Sequence, residues 1–183
     1  MFKFIKTSID DVYIIEPEIH GDNRGFFSEV YKQADFCAAN LNYTFVQTNL
    51  SKSKKGVLRG LHYQRNFPQA KLVMVLEGEV FDVAVDLRKN SATYGKWIGV
   101  ILSGENKKML MIPRGFAHGF LVLSESATFM YKCDDTYHPE DEGGIIWNDP
   151  SLKIKWPINN KIELSVKDQS NPSLEDCNIS FDL

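Results

Sequence analysis

The sequence predicts a mostly β protein, a sandwich or barrel of antiparallel strands for which a jelly roll is one natural solution. Three observations carry this. Short runs rich in Val, Ile, Phe and Tyr recur along the 183 residues, separated by Gly, Asn, Pro, Asp or Ser. Only KQADFCAANL (32–41) has helical spacing, with Phe36, Ala39 and Leu41 on one face, so the crossover helices that a parallel sheet needs are missing. In LEGEVFDVAVDL, Gly78 separates two runs, after which Phe81, Val83 and Val85 alternate with Asp82, Ala84 and Asp86, so that one side is the more apolar.

In chain order, the first three strands are DVYIIEPE (11–18), RGFFSEVY (24–31) and YTFVQTNL (43–50), the second opened by the turn residues of GDN and the third following the helical segment. GVLRGLHY (56–63), KLVMVLEG (71–78) and EVFDVAVDLR (79–88) follow, bounded by Gly56, Pro68 and Gly78. KWIGVILS (96–103), KKMLMIP (107–113), HGFLVLS (118–124), ATFMYKC (127–133) and GGIIWND (143–149) complete the set, with Gly, Asn, Pro, Ser or Asp between them. The segment from about 150 to 183 is less regular, punctuated by Pro157, Asn159, Asn160 and Pro172, and is expected to wrap the sheet as loops and helical turns.

A length of 183 with 43% hydrophobic residues fits one domain spanning 1–183 with an ample core. The 21 basic and 24 acidic residues are interspersed, with net charge -3, which argues against nucleic acid or a membrane surface as partner. No apolar run follows a basic start and nowhere do about eighteen apolar residues stand together, so a soluble, cytoplasmic protein is expected. Cys37, Cys133 and Cys177 are odd in number and form no CxxC pair, so neither a disulfide framework nor a zinc knuckle is indicated.

VLRGLHYQ (57–64) does not fit a simple core strand. Strict alternation sets Val57, Arg59, Leu61 and Tyr63 on one face and Leu58, Gly60, His62 and Gln64 on the other, so both faces are mixed. An unpaired buried charge is costly, and whichever of Arg59 or His62 points inward is a site candidate; an edge strand with Arg59 solvated is the ordinary alternative. Lys71 opens KLVMVLEG, Tyr131 and Lys132 interrupt ATFMYKC, and His118 lies between a Pro-Arg-Gly turn and an apolar strand. Inside a barrel, His serves as a base near neutral pH, Lys stabilises an oxyanion and Tyr delivers a proton, a set suited to proton abstraction beside a carbonyl.

Asp168 in SVKDQ is placed to orient an imidazole, although a solvated turn is the ordinary reading of Lys167 and Asp168. In GDNRGFFSEV (21–30), Arg24 offers a fork for phosphate, Phe26 and Phe27 a stacking surface, and Glu29 follows on the strand. The set suits a nucleotide diphosphate, but a capped turn with a core Phe is the ordinary explanation. Gln47, Thr48 and Asn49 supply amides and a hydroxyl, or a polar stripe. His62 has no second His two residues on and no Glu a few residues beyond, so no catalytic metal is expected, although His20, His62, His118 and His138 are free to converge in space.

Taken together, GDNRGFFSEVY, FVQTNLSKSKKGVLRGLHYQ, KLVMVLEGEVFDVAVDLRKNSATYGKW, MIPRGFAHGFLVLSE, YKCDDTYHPEDEGGIIWND and ELSVKDQ resemble the dTDP-4-dehydrorhamnose 3,5-epimerases, in order, from about Ile5 to Leu174. The resemblance implies an all-β, cupin-like jelly roll (a double-stranded β-helix) with a few short helices. It implies a homodimer formed partly by exchange of N-terminal strands, and action on a nucleotide-linked 4-keto-6-deoxy sugar without metal or organic cofactor. By motif position it makes His62 the general base, Tyr131 the general acid, Lys71 the group near the keto oxygen and Asp168 the partner of His62. It sets Arg24, Phe27, Glu29, Gln47, Thr48, Asn49, Arg59, His118, Glu142 and Lys167 against the nucleotide sugar, and makes Tyr137 its nucleotide-side aromatic. Relatives that epimerise only C3 or only C5 carry much the same acid and base. A 3,4-ketoisomerase, a non-catalytic sugar-nucleotide-binding module and a metal-dependent cupin oxygenase are more distant alternatives.

Overall fold

Two antiparallel sheets face each other in the computed structural model, which describes residues 1–157 and 161–182; Asn159 and Asn160 lie outside the described residues. The strands are β1 (Phe2–Lys6), β2 (Tyr13–Pro17), β3 (His20–Asp22), β4 (Gly25–Phe27), β5 (Gln47–Lys54), β6 (Leu58–Gln64), β7 (Lys71–Glu77), β8 (Glu79–Asp86), β9 (Trp97–Ser103), β10 (Met109–Ile112), β11 (Phe116–Val122), β12 (Ser126–Cys133) and β13 (Glu142–Gly144). The helices are α1 (Gln33–Ala38), α2 (Val166–Gln169) and α3 (Leu174–Cys177). One sheet has the order β1-β2-β10-β7-β12-β5, the other β13-β6-β11-β8-β9, and β3 and β4 form a separate hairpin. Successive strands from β5 to β8 pass between the sheets, and this interleaving is the jelly roll.

Burial explains the alternation in β8. Val80 and Ala84 face the space between the sheets, where Val73, Val75, Leu110, Phe120 and Phe129 also meet. Val83 and Val85, with Phe81 beside them, lie on the opposite side under Leu152, Trp156, Cys177 and Phe181 of the C-terminal segment. The more apolar side of β8 therefore faces the C-terminal wrap. Two aspartates remain on the inner side and both are satisfied: Asp82 by His118, Asp86 by Arg88, Ser91 and Thr93. On the far side of the larger sheet, α1 inserts Phe36 among Phe2, Ile15, Leu72, Met74, Met109 and Met111. Each large apolar side chain buried in these layers contributes roughly 1.5–3 kcal/mol.

Some elements differ from expectation. FKFIK near the N-terminus pairs with β2, an edge strand whose Phe2 packs toward α1 while Lys3 reaches Glu16. The expected strand 24–31 is confined to Gly25–Phe27, because Val30 and Tyr31 turn away to pack around Phe36. In the third expected strand, pairing begins at Gln47, and Tyr43 and Phe45 are spent on the α1 cluster. Among the described residues, no helix is long and apolar enough to cross a membrane.

Candidate active site

The register of β6 against β11 is what assembles the site. His118 faces His62 and Phe120 faces Arg59, so β6 carries one residue more than its partner over this stretch, a β-bulge. Gly60 makes the close approach possible: its φ is +117°, and a Cβ there would meet the Gly119 Cα at 2.5 Å. Strict alternation thus fails at this point. Leu58, Leu61 and Tyr63 all join the cluster under the C-terminal segment, while Arg59 and His62, three residues apart, line one cleft.

A cavity of about 290 Å³ opens between the sheets. The larger sheet lines it with Gln47 and Asn49 from β5, Lys71 from β7 and Tyr131 from β12. The smaller sheet supplies His62, Tyr63 and Gln64 from β6 and Glu142 from β13, and Gln69 and Tyr137 close the rim from loops. A neighbouring cleft of about 320 Å³ shares His62 and Glu142 and adds Arg59, Lys167 and Asp168.

His62 Nε2 lies 2.5 Å from Asp168 Oδ1. Asp168 sits in the first turn of α2, its N–H donating to the N-cap Ser165 Oγ at 3.0 Å. Burial pushes the Asp168 carboxyl up, but hydrogen bonds from His62, Ser165 and the Gly60 N–H outweigh it and hold the group below the usual carboxylate range. With Nε2 committed, Nδ1 is the imidazole nitrogen left to exchange a proton. The solvated-turn reading of Asp168 is thereby replaced by a buried one.

Glu142 Oε1 is 4.0 Å from His62 Nε2, and its Oε2 accepts at 2.5 Å from both Tyr137 Oη and Lys167 Nζ. Burial raises Glu142, and Lys167 with Tyr137 overcomes this to keep it ionised. The bond to Glu142 pushes the Tyr137 phenol up to about 12. Burial holds the Lys71 ammonium below the ordinary lysine range, against the pull of Cys133, Glu142 and Asp82. Burial also raises the Tyr131 phenol, so it carries its proton at neutral pH. The cavity therefore presents an imidazole on one wall and a protonated phenol on the other, with an amine that burial has made easier to deprotonate.

Not every expected residue arrives. Thr48 alternates outward on β5, exposed, while Gln47 and Asn49 face the cavity. His118 lines neither cleft: it is buried, bonded through Nε2 to Asp82 Oδ2 at 2.9 Å and stacked near Phe129. Arg24, Phe27 and Glu29 lie in or beside the β3–β4 hairpin, away from the His62 cavity. There Arg24 pairs with Asp22 and Phe27 is 70% exposed, so the expected core Phe is a surface one. His20 is on that hairpin and His138 stacks on Phe67, and neither joins His62. Asp82, Ser165 and Gln64 escaped sequence reasoning. The charge of Asp82 inside an apolar run, and the position of Gln64 two residues beyond His62, were the signals available.

Fold and cavity together define a class: a cupin-type jelly roll whose two sheets present acid–base side chains to one polar cavity. Within that class, the family model described as dTDP-4-dehydrorhamnose 3,5-epimerase matches residues 6–176. The dTDP-4-dehydrorhamnose 3,5-epimerase of Salmonella typhimurium is 55% identical over 177 residues, covering 96% of this chain and 97% of that protein. The structure of dTDP-6-deoxy-D-glucose-3,5-epimerase from Legionella pneumophila, in complex with dTDP-4-keto-L-rhamnose, superposes with a TM-score of 0.94 at 54% identity, covering 96% of this chain and 94% of that one. A 3′-monoepimerase from Streptomyces bikiniensis, in complex with dTDP-quinovose, gives 0.87 at 34% identity, covering 92% and 86%. The chain belongs to the dTDP-4-dehydrorhamnose 3,5-epimerase family, whose members are isomerases.

Proposed function

We propose that this protein converts dTDP-4-dehydro-6-deoxy-D-glucose to dTDP-4-dehydro-L-rhamnose by inverting C3 and C5 in turn. The observation that carries the reading is the placement of His62 and Tyr131 on opposite walls of one cavity that Lys71 also lines. The C4 ketone acidifies the hydrogens on both neighbouring carbons. His62 Nδ1 takes one of them, the electron pair moves to the C4 oxygen, and the Lys71 ammonium stabilises that oxyanion. Tyr131 then gives its phenolic proton to the opposite face of the same carbon and the ketone returns. Proton transfer alone completes each inversion, with His62 releasing its proton to solvent and Tyr131 regaining one from solvent before the second carbon reacts, so the chemistry calls for no redox cofactor. Asp168 holds the imidazole in its working tautomer and stabilises it once protonated.

Arg59 and Lys167 supply cations for the diphosphate and Tyr137 a face for the base. His118 acts from behind the wall rather than by contact. The reading includes a cytoplasmic homodimer in which the exposed hairpin bearing Arg24 and Phe27, with Glu29 next to it, is completed against a second copy. A monoepimerase is the second reading, favoured by the similarity to the 3′-monoepimerase, though at lower identity than the 3,5-epimerases. Incubation of the protein with dTDP-4-keto-6-deoxyglucose in D₂O, followed by NMR, separates them: deuterium enters both C3 and C5 in the 3,5-epimerase, one carbon in a monoepimerase, and neither in a binding module.

Lys71→Gln is expected to lower kcat by about 10²-fold, as for loss of an oxyanion donor. The pH dependence follows from the same group. Its lowered pKa means that Lys71 loses its charge below the ordinary lysine value of 10.5, so kcat falls as pH rises through that lowered value. The alkaline limb of the kcat profile disappears in Lys71→Gln. A limb that persists unchanged assigns it to another group.

A further inference from the structure

The loop 134–138 leaves β12 in the larger sheet and passes toward β13 in the smaller one, carrying Tyr137 across the mouth of the cavity. Asp134 N–H reaches the Ala70 carbonyl at 3.2 Å, and beyond it side chains accept from the N–H groups of Thr136, Tyr137 and His138. Tyr137 N–H donates to Gln47 Oε1 at 2.9 Å, from the larger sheet. His138 N–H donates to Gln64 Oε1 at 2.7 Å, from the smaller sheet. Gln64 Nε2 donates in turn to Thr136 O at 3.2 Å and to Phe67 O at 2.7 Å. Two carbonyls and one N–H around a single amide fix its orientation, and both of its donors are spent.

Gln64 is 4% exposed and follows His62 by two residues on the same strand. It therefore couples three things: the strand that carries the base, the loop 65–69, and the loop that carries Tyr137. Stacking of Phe67 on His138, ring centroids 4.1 Å apart, and the bond from Gln69 Nε2 to Asp135 O close the two loops on each other. Gln47 by contrast holds the loop by one bond and donates its own amide to Asn49 Oδ1.

We propose that Gln64 is a positioning residue for nucleotide binding: its buried amide clamps the 134–138 loop to β6 and so sets Tyr137 over the cavity mouth. The proposal rests on the reading of Tyr137 as the face for the base. Gln64 itself touches no reacting atom, so its loss acts on binding more than on proton transfer.

The test uses Gln64→Met, which removes all three bonds at similar length, and Gln64→Glu, which keeps the acceptor for His138 but turns a carboxylate oxygen toward two carbonyls. Three quantities are read: the steady-state constants with dTDP-4-keto-6-deoxyglucose, the Kd of TDP by calorimetry, and hydrogen exchange at the Tyr137 and His138 amides. We expect KM and the Kd to rise about tenfold, kcat to stay within about threefold, and both amides to exchange faster. An effect on kcat alone overturns the proposal, as does faster exchange with KM and Kd unchanged, or unchanged exchange at both amides. Should Gln64→Met fail to fold, Gln64→Glu decides. TDP binding and amide exchange do not depend on turnover, so a wild-type protein that binds TDP without epimerising refutes the proposed reaction while leaving the clamp to stand or fall on these two readouts.

Discussion

His62→Ala is expected to lower kcat by about 10³-fold and to abolish deuterium uptake at both C3 and C5. One imidazole serves both carbons in the proposed reaction, so the two exchanges must vanish together. The structure limits what else the substitution disturbs. His62 is half-buried on the cavity side of β6, and the residues that hold the strand in place, Leu58, Leu61 and Tyr63, face the C-terminal segment. Removing the ring leaves the buried Asp168 with its bonds from Ser165 and the Gly60 N–H but without its largest stabilising partner.

The folded-state pKa of Asp168 is depressed, so its contribution to stability is present above its ordinary value of 3.8 and is lost as pH falls through the depressed one. Loss of His62 trims that contribution at neutral pH, and the melting temperature is expected to fall slightly while the fold persists. A kcat within tenfold of wild type, with deuterium still entering both carbons, removes His62 from the role of base.

The strands were legible because hydrophobic periodicity and turn residues report burial directly, and most of the jelly roll follows from them. What they do not report is which face of a strand meets which layer. β8 looked more apolar on one side, but both sides are buried, because residues from about 150 onward cover the outer face that an isolated sandwich leaves in water. The same limitation hid the geometry of β6. Alternation separates Arg59 from His62, and only the extra residue opposite β11 brings them to one side. A bulge depends on the partner strand, and Gly60 is its only local mark.

The candidate site was read unevenly for a related reason. His62, Lys71 and Tyr131 stand out as polar groups in apolar strands, and the structure gathers them at one cavity. Asp168 lies more than a hundred residues from His62 in the chain, so only the fold pairs them. Arg24 and Phe27 are conspicuous in the sequence, but the β3–β4 hairpin holds them in solvent, away from the His62 cavity.

Tyr131→Phe is expected to separate exchange from inversion. The proposed base remains, so His62 still removes a proton from its own side, Lys71 still stabilises the enolate, and a deuteron from solvent returns through His62 to the face it left. Substrate recovered from D₂O should therefore carry deuterium with its configuration retained, while epimerised product forms about 10²-fold or more slowly. The phenol it loses is suited to the opposite role: burial raises its pKa, so the hydroxyl is protonated at neutral pH, and the smaller pull of Asn49 and Arg59 favours its release as a proton is given up. Phe preserves the ring that packs beside Phe129, with centroids 6.0 Å apart, so the cavity wall is kept and the change is confined to the hydroxyl. His62→Ala stops exchange and inversion alike, whereas Tyr131→Phe stops inversion and leaves exchange. Equal loss of both in Tyr131→Phe makes the phenol part of enolate formation rather than the opposite-face acid, and full inversion without it requires a proton donor elsewhere on the wall formed by β5, β7 and β12.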